Sequence, residues 1–365
     1  MRAAVLFKPN EPLQVVEVEL DPPKAGEARV RMKAAGVCQS DWHVINGDWP
    51  TPLPVVPGHE AAGIVEEVGP GVTEVKPGDH VIFSFRPHCG QCRFCSQGRT
   101  VLCIGRNGSP GATLYDGTLR LKHKGQGLHQ MARIGTFSEQ VVVPAEMLVP
   151  MRKDMPWAQA ALVGCCVSTG VGAVTRHAKI EAGSTVLVIG CGGVGLNAVQ
   201  GALLSGARTI IAADLLDNKL AMAKKFGATH VVNTSAGDPV KAIKDLTGGF
   251  GVDYAFDAVN VEKTQALALD AACVGGRVVG VGVPHPGVRA SYSPFMMVFT
   301  EKTISATFYG SVRPNLDFPI FVDHYMGGRL NLDGLISRTY KLDEINEGFR
   351  AMMGGEVARG VVVFD

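Results

Sequence analysis

Through the first 150 positions apolar and polar residues alternate in short runs, such as Ala28-Arg29-Val30-Arg31-Met32-Lys33-Ala34 and Gly63-Ile64-Val65-Glu66-Glu67-Val68-Gly69. A period of two predicts half-buried strands, and the Pro and Gly clusters between the runs predict turns. From Thr185 onward the pattern changes. Short apolar runs at 185–189, 209–213, 230–232, 252–256, 277–281 and 303–308 alternate with helix-like stretches. That alternation predicts a parallel sheet with crossover helices, and six runs suit a doubly wound nucleotide-binding sheet. After Gly310 the pattern is mixed. It ends in a run at 359–364 that reads as a strand and is expected to rejoin the first, β-rich domain. The stretch 105–135, rich in Gly and charge, is expected to be a long connection, a lobe or a subunit-contact loop.

A chain of 365 residues is too long for one ordinary domain and suits two. The expected division is 1–166 together with 308–365 for the β-rich part, and 167–307 for the α/β part. With 46% hydrophobic and 19% charged residues the chain is expected to fold throughout. Its 35 basic and 34 acidic residues leave no excess charge for nucleic acid or an anionic membrane, so neither is an expected partner. No unbroken apolar run reaches the length of a membrane span, and the N-terminal run ending at Lys8-Pro9 is too short for a signal core. Nine cysteines without such a signal point to metal ligands or free thiols in a reducing cytoplasm.

The spacing of those cysteines carries the first chemistry. Cys89, Cys92, Cys95 and Cys103 follow one another at steps of three, three and eight, a spacing that can close a thiolate tetrahedron around one Zn²⁺ on a single loop. Such a site has no open ligand position, so it holds a loop and does no chemistry. A second set is spread along the chain: Cys38-Gln39-Ser40-Asp41, Gly58-His59-Glu60 and Gly164-Cys165. Cys38, His59 and Cys165 offer N/S donors and leave a fourth place open. A zinc held this way polarises an alcohol oxygen and lowers its pKa, so that hydride can leave the carbon. Each residue alone is weak evidence, since a lone cysteine is more often a small buried hydrophobe. The conjunction is what weighs.

A third signal is the apolar strand Val186-Leu187-Val188-Ile189 running into Gly190-Cys191-Gly192-Gly193-Val194-Gly195 and then a helical pattern. The next strand ends at Asp214, about twenty residues beyond the turn, where a carboxylate can accept both ribose hydroxyls. Glycines at a helix N-terminus let a pyrophosphate approach backbone N–H groups, while Asp214 would repel a ribose 2′-phosphate. NAD is therefore expected over NADP.

At these residues the sequence resembles the zinc-containing alcohol dehydrogenases of the medium-chain dehydrogenase/reductase family, along essentially the whole chain. The block Gly58-His59-Glu60-Ala61-Ala62-Gly63 with Gly69 and Val72 carries that family's zinc signature. The resemblance implies a GroES-like barrel catalytic domain bearing a zinc lobe, joined to a Rossmann domain. It also implies two zincs per chain, one catalytic on Cys38, His59 and Cys165 and one structural on the four clustered cysteines. Ser40 and His43 take the places of the proton relay, Asp41 that of the carboxylate orienting the zinc-bound histidine, and Glu60 that of a carboxylate behind the metal. Gln39, Thr169, Val281, Val283, Lys219 and Arg359 fall with the glycine turn (Gly190, Gly192, Gly193, Val194, Gly195) and Asp214 as cofactor residues. Gln39 stands where many relatives have Arg or His, which implies weaker hold on the phosphates. Trp49, Phe85, Val283 and Thr307 are expected to line the substrate channel. Ser40 in place of threonine leaves room beside the zinc for bulky, aromatic, terpenoid or medium-chain primary alcohols. A homodimer is expected. Two alternatives stay open: a thiol-adduct formaldehyde dehydrogenase, disfavoured by Gly47 and Trp49 though not by Asp48, and an enzyme with permanently bound NAD. A zinc-free reductase or a structural relative would lack the Cys38, His59 and Cys165 ligands. The remaining cysteines, Cys166, Cys191 and Cys273, read as small core residues.

Overall fold

Strand Glu27–Val37 organises the first of two units into which the computed structural model divides, Met1–Cys165 with Arg313–Asp365 and, separately, Cys166–Val312. The structure describes residues 1–106 and 112–365. At eleven residues, this strand is long enough to serve two partners along one edge. Gln140–Pro144 pairs with its first half and Arg359–Val363 with its second, both antiparallel, while Ala61–Val68 covers the other edge. Strands His80–Phe83, Leu148–Pro150 and Ile336–Tyr340 extend this into a seven-stranded sheet. Alternation along Glu27–Val37 puts Ala28, Val30 and Met32 wholly out of water, while Arg29 and Arg31 reach Glu66 and Glu67 at the surface. The C-terminal strand thus belongs to the sheet of the N-terminal part.

The stretch 105–135, of which residues 107–111 lie outside the described part, is more ordered than a plain connection. It carries the hairpin Leu121–His123 and Gln126–Gln130, part of a four-stranded sheet with Glu19–Leu20 and Val55–Val56. Leu121 and Leu128 face each other across the hairpin and are fully buried. Two apolar anchors among the Lys, Gly, Gln and His residues of 121–130 were too sparse to show as a period.

The second unit is a six-stranded, all-parallel sheet in the order His230–Asn233, Thr209–Asp214, Thr185–Ile189, Val252–Asp257, Ala272–Gly280, Thr303–Ala306. Its chain runs outward from Thr185–Ile189 and then crosses back, so the order reverses beside the first strand. In open sheets of this kind ligands bind beyond the strand ends at that reversal. Val186, Leu187 and Val188 are fully buried, as a strand covered on both faces requires. The second unit ends at Val312, beyond the expected 307, because Gly310 lies against the helical turn Ser168–Gly172. A Cβ on Gly172 would come within 2.7 Å of the Gly310 carbonyl oxygen. One helical run, Trp157–Ala178, is long and apolar enough to cross a membrane, yet 83% of its most apolar window is buried, as in a core helix.

Candidate active site and metal centres

Three chain turns bring Cys38, His59 and Cys165 together. Cys38 follows the long strand and caps helix Gln39–Ile45 in extended backbone, which turns its side chain out of the sheet. His59 follows Gly58, whose φ of +99° and contact with the Thr136-Phe137 backbone leave no room for a side chain. Cys165 sits in the π-helical turn Val163–Val167, where Gly164 lets the helix approach within 2.7 Å, from its ideal Cβ position, of the Phe83 carbonyl oxygen. The donor atoms of the three residues lie within 4.8 Å of one another, and all three residues are buried. Nε2 of His59 is 3.3 Å from the Cys165 sulfur.

Asp41 fixes this arrangement. It is fully buried, accepts from His59 Nδ1 at 2.7 Å and from the Gly58 N–H at 3.2 Å, and takes the Cys38 N–H on its other oxygen at 3.1 Å. An Nδ1–H spent on a carboxylate leaves the Nε2 lone pair facing the two sulfurs, the tautomer a metal needs. Protonation of the three donors is coupled in this arrangement. A hydrogen bond from Cys165 holds the Cys38 thiol well below its ordinary range against the cost of burial, with His59 assisting. The same contact, then burial, push Cys165 well above. Burial works against a charged His59, but Asp41 and Cys38 outweigh it and raise its pKa. Burial raises Asp41, with His59 pulling the other way. Two buried thiols and an imidazole with their donor atoms this close hold protons that a dication displaces, so the donor set fits Zn²⁺. Behind His59, the buried Glu60 pairs with the buried Arg359. Arg359, cast at the pyrophosphate, is thus seen holding Glu60.

Cys89, Cys92, Cys95 and Cys103 likewise bring their sulfurs within 4.8 Å of one another. The Cys92 N–H donates to the Cys89 sulfur and the Cys89 N–H to the Cys103 sulfur, each at 3.3 Å. Backbone N–H groups at Cys95 and Ile104 pull the Cys92 thiol down to about 5, while burial and Cys92 itself push Cys95 up to about 12. Four protein sulfurs fill a tetrahedron, so this group suits a zinc without an open position.

In the second unit the first strand ends at Gly190, with φ +87°, and the chain enters helix Gly193–Leu204 through Gly192 as its N-cap. A Cβ on Gly195 would strike the Gly190 carbonyl, whereas nothing lies within 4 Å of one on Gly192. The turn is closed inward and open outward, a cradle for a pyrophosphate on the N–H groups of Gly193, Val194 and Gly195. Asp214 ends the second strand and accepts from the Cys191 N–H at 2.7 Å and the Leu216 N–H at 3.1 Å. Lys219 is half-buried in the first turn of helix Asp217–Lys225. Val281 is buried just past its strand, while Val283 is 52% exposed. Thr169 is half-buried. Thr307 is buried, with its hydroxyl 2.9 Å from that of Ser311.

In the first unit, Gln39 is exposed at the start of helix Gln39–Ile45. Ser40 and His43 lie three residues apart on that helix and so on one face. Phe85 stands edge-on to His59, with ring centroids 5.3 Å apart, and Trp49 stacks on His43 at 5.0 Å. Two polar residues were missed in the sequence. Asp48 accepts from His43 Nδ1 at 2.8 Å, and its signal was the Asn46-Gly47 turn that returns the chain toward the histidine. Asn197, fully buried, donates to the Gly193 carbonyl at 2.7 Å inside the helix that follows the glycine turn. It had no readable signal, because an Asn within a helix is ordinarily solvated. Cys166 and Cys191 are core residues as expected, but Cys273 is half-exposed with its sulfur 3.8 Å from Asp253, because its strand bulges there.

A family model for the alcohol dehydrogenase GroES-like domain matches residues 24–153, and one for zinc-binding dehydrogenases matches residues 193–325. The S-(hydroxymethyl)glutathione dehydrogenase of Paracoccus denitrificans is 41% identical over 373 residues, covering 100% of this chain and 99% of that protein. The NDMA-dependent alcohol dehydrogenase of Amycolatopsis methanolica is 39% identical over 370 residues, covering 99% and 98%. The crystal structure of benzyl alcohol dehydrogenase from Acinetobacter calcoaceticus matches with a TM-score of 0.94 at 32% identity, covering 100% of this chain and 99% of that one. The chain belongs to the zinc-binding alcohol dehydrogenases of the medium-chain dehydrogenase family. It is an oxidoreductase whose cofactors are zinc and NAD.

Proposed function

We propose that the protein oxidises bulky or aromatic primary alcohols to aldehydes, reversibly, with NAD as hydride acceptor. The observation that carries this reading is the buried Cys38, His59 and Cys165 set, three donors with Phe85 edge-on to one of them. A zinc held there would supply the Lewis acidity that lowers an alcohol's pKa, and a bound NAD would be the hydride acceptor. Asp41 keeps His59 in the metal-binding tautomer, and Glu60 with Arg359 braces it from behind. Phe85 and Trp49 supply apolar walls, and the small side chain of Ser40 leaves room beside the metal donors. Ser40 and His43 carry the hydroxyl proton away. The likeness to the benzyl alcohol dehydrogenase supports an aromatic substrate. The Paracoccus relative favours a glutathione adduct instead, but here the carboxylate that such a ligand would approach, Asp48, is engaged by His43 and Asn46. Nine cysteines without a disulfide among the described residues suit a reducing compartment.

Assayed with NAD and with NADP, benzyl alcohol is expected to exceed S-(hydroxymethyl)glutathione in kcat/KM, and NAD to exceed NADP. Asp214→Gly should weaken NAD by about 10- to 100-fold, the worth of hydrogen bonds to a charged group, and narrow the gap to NADP. A preference for the glutathione adduct, or for NADP in the unaltered protein, would end this reading. Reduced nicotinamide that stays with the protein through purification would instead mark the mode with permanently bound NAD.

The same reading includes a homodimer. Helix Pro294–Thr300 buries none of its residues, and Phe295, Val298 and Phe299 are 67%, 76% and 71% exposed beside the edge strand Thr303–Ala306. An apolar patch and a sheet edge left open together call for a covering surface, and a second copy offers the same pair. Sedimentation should give twice the chain mass, and Phe299→Asp should shift it towards the monomer; a wild-type monomer would refute the assignment.

A further inference from the structure

The turn after helix Gln39–Ile45 is built to fold back onto it. Asn46 ends the helix, and Gly47 follows with φ +83°, in a spot where a Cβ would stand 3.2 Å from that of Pro9. The Trp49 N–H then donates to the His43 carbonyl at 2.9 Å. This closure sets two side chains, Trp49 and Asp48, on the histidine. Trp49 lies over its ring with planes 23° apart, and Asp48 Oδ2 is 2.8 Å from Nδ1. Asp48 is itself held, since the same oxygen accepts from Asn46 Nδ2 at 2.9 Å and its own N–H donates to Asn46 Oδ1 at 3.2 Å.

We infer that Asp48 is a positioning residue for the proton relay: it fixes His43 as the Nδ1–H tautomer, so that Nε2 presents its lone pair to the departing proton. An ionised carboxylate can only accept, so a neutral His43 bonded to it through Nδ1 carries its hydrogen there. Free imidazole side chains rotate and exchange tautomers. Here the carboxylate sets the tautomer and the indole face blocks rotation, so the accepting nitrogen is defined before substrate arrives. The same logic governs a carboxylate behind a metal-bound histidine, which Asp41 and His59 display in this unit. The inference rests on the reading of His43 as proton acceptor.

The test is a double-mutant cycle with a spectroscopic arm. Asp48→Asn, which keeps shape, and Asp48→Ala should each lower kcat by about 10- to 100-fold, as loss of an orienting partner does, with KM nearly unchanged. Asp48→Glu should recover part of the rate. In a His43→Gln background Asp48→Ala should cost nothing further. In protein free of added cofactor, long-range nitrogen–proton spectra should show His43, identified by its loss in His43→Gln, protonated at Nδ1, and at Nε2 once Asp48 is alanine. Equal losses from Asp48→Ala in both backgrounds would reduce Asp48 to loop packing, and an Nε2–H wild-type ring would overturn the inference directly. A His43→Gln enzyme with full turnover brings down the relay and this role with it. A slow His43→Gln enzyme beside an unimpaired Asp48→Ala enzyme brings down only the role of Asp48.

Discussion

Cys165→Ala is expected to leave one zinc per chain instead of two and to lower alcohol oxidation by roughly 10³-fold or more, the worth of several kcal/mol of Lewis-acid stabilisation. The two metal groups share no residue, so they should empty independently. With the sulfur gone, His59 and Cys38 remain as a pair, and two protein donors hold zinc poorly against a chelator. Alanine keeps the helix and removes a buried thiol set against Cys38 and His59, so folding should survive. Cys89→Ala is the matching control. It should also lose one zinc, but the loss falls on stability, because that group ties Cys89 to Cys103 across a loop. Elemental analysis with melting curves separates the cases. Two zincs and normal turnover in Cys165→Ala would refute the catalytic assignment, and a single zinc in the unaltered protein would refute the count.

Much of the fold was legible because its signals were local. The six apolar runs of the second unit each became a strand, the inner ones because a strand covered on both faces must be apolar throughout. The glycine turn and Asp214 were legible for the same reason, as their spacing is set by one strand, one helix and the next strand. The return of strand Arg359–Val363 to Glu27–Val37 could be guessed from its pattern, though its register could not. Metal groups divide along the same line. Four cysteines on one loop announce themselves, whereas Cys38, His59 and Cys165 span most of a domain and were gathered by resemblance. The contact of Asp41 with His59 was expected from the resemblance and is present, whereas the pairing of Asp48 with His43 failed to show, because it depends on the backbone bond from Trp49. Hairpin Leu121–His123 with Gln126–Gln130 was hidden because two leucines carry its whole apolar face.

Ser40→Ala should cut turnover by about 10² to 10⁴, the usual worth of positioned proton transfer, while zinc content and NAD binding stay as they were. An alcohol that gives up a hydride must also give up its hydroxyl proton, and a proton at the buried sulfur and nitrogen donors has no direct route to water. Ser40 is two residues from Cys38 and one helical turn from His43, so it is the first hydroxyl able to stand between them. Its side chain is half-buried in the first turn of helix Gln39–Ile45, where alanine is as good a helix former, so a loss of rate would not be a loss of fold. Threonine at the same place should keep the rate for small alcohols and lower it for bulky ones, because it restores the hydroxyl but adds a methyl group. His43→Gln should cost less than Ser40→Ala, since a partly exposed base can be replaced in part by water or by an added amine. Steady-state rates for the three variants, with metal and cofactor content measured on the same preparations, decide the matter. If Ser40→Ala turns over at the normal rate with both zincs in place, the proton leaves by another path and Ser40 merely packs beside the metal.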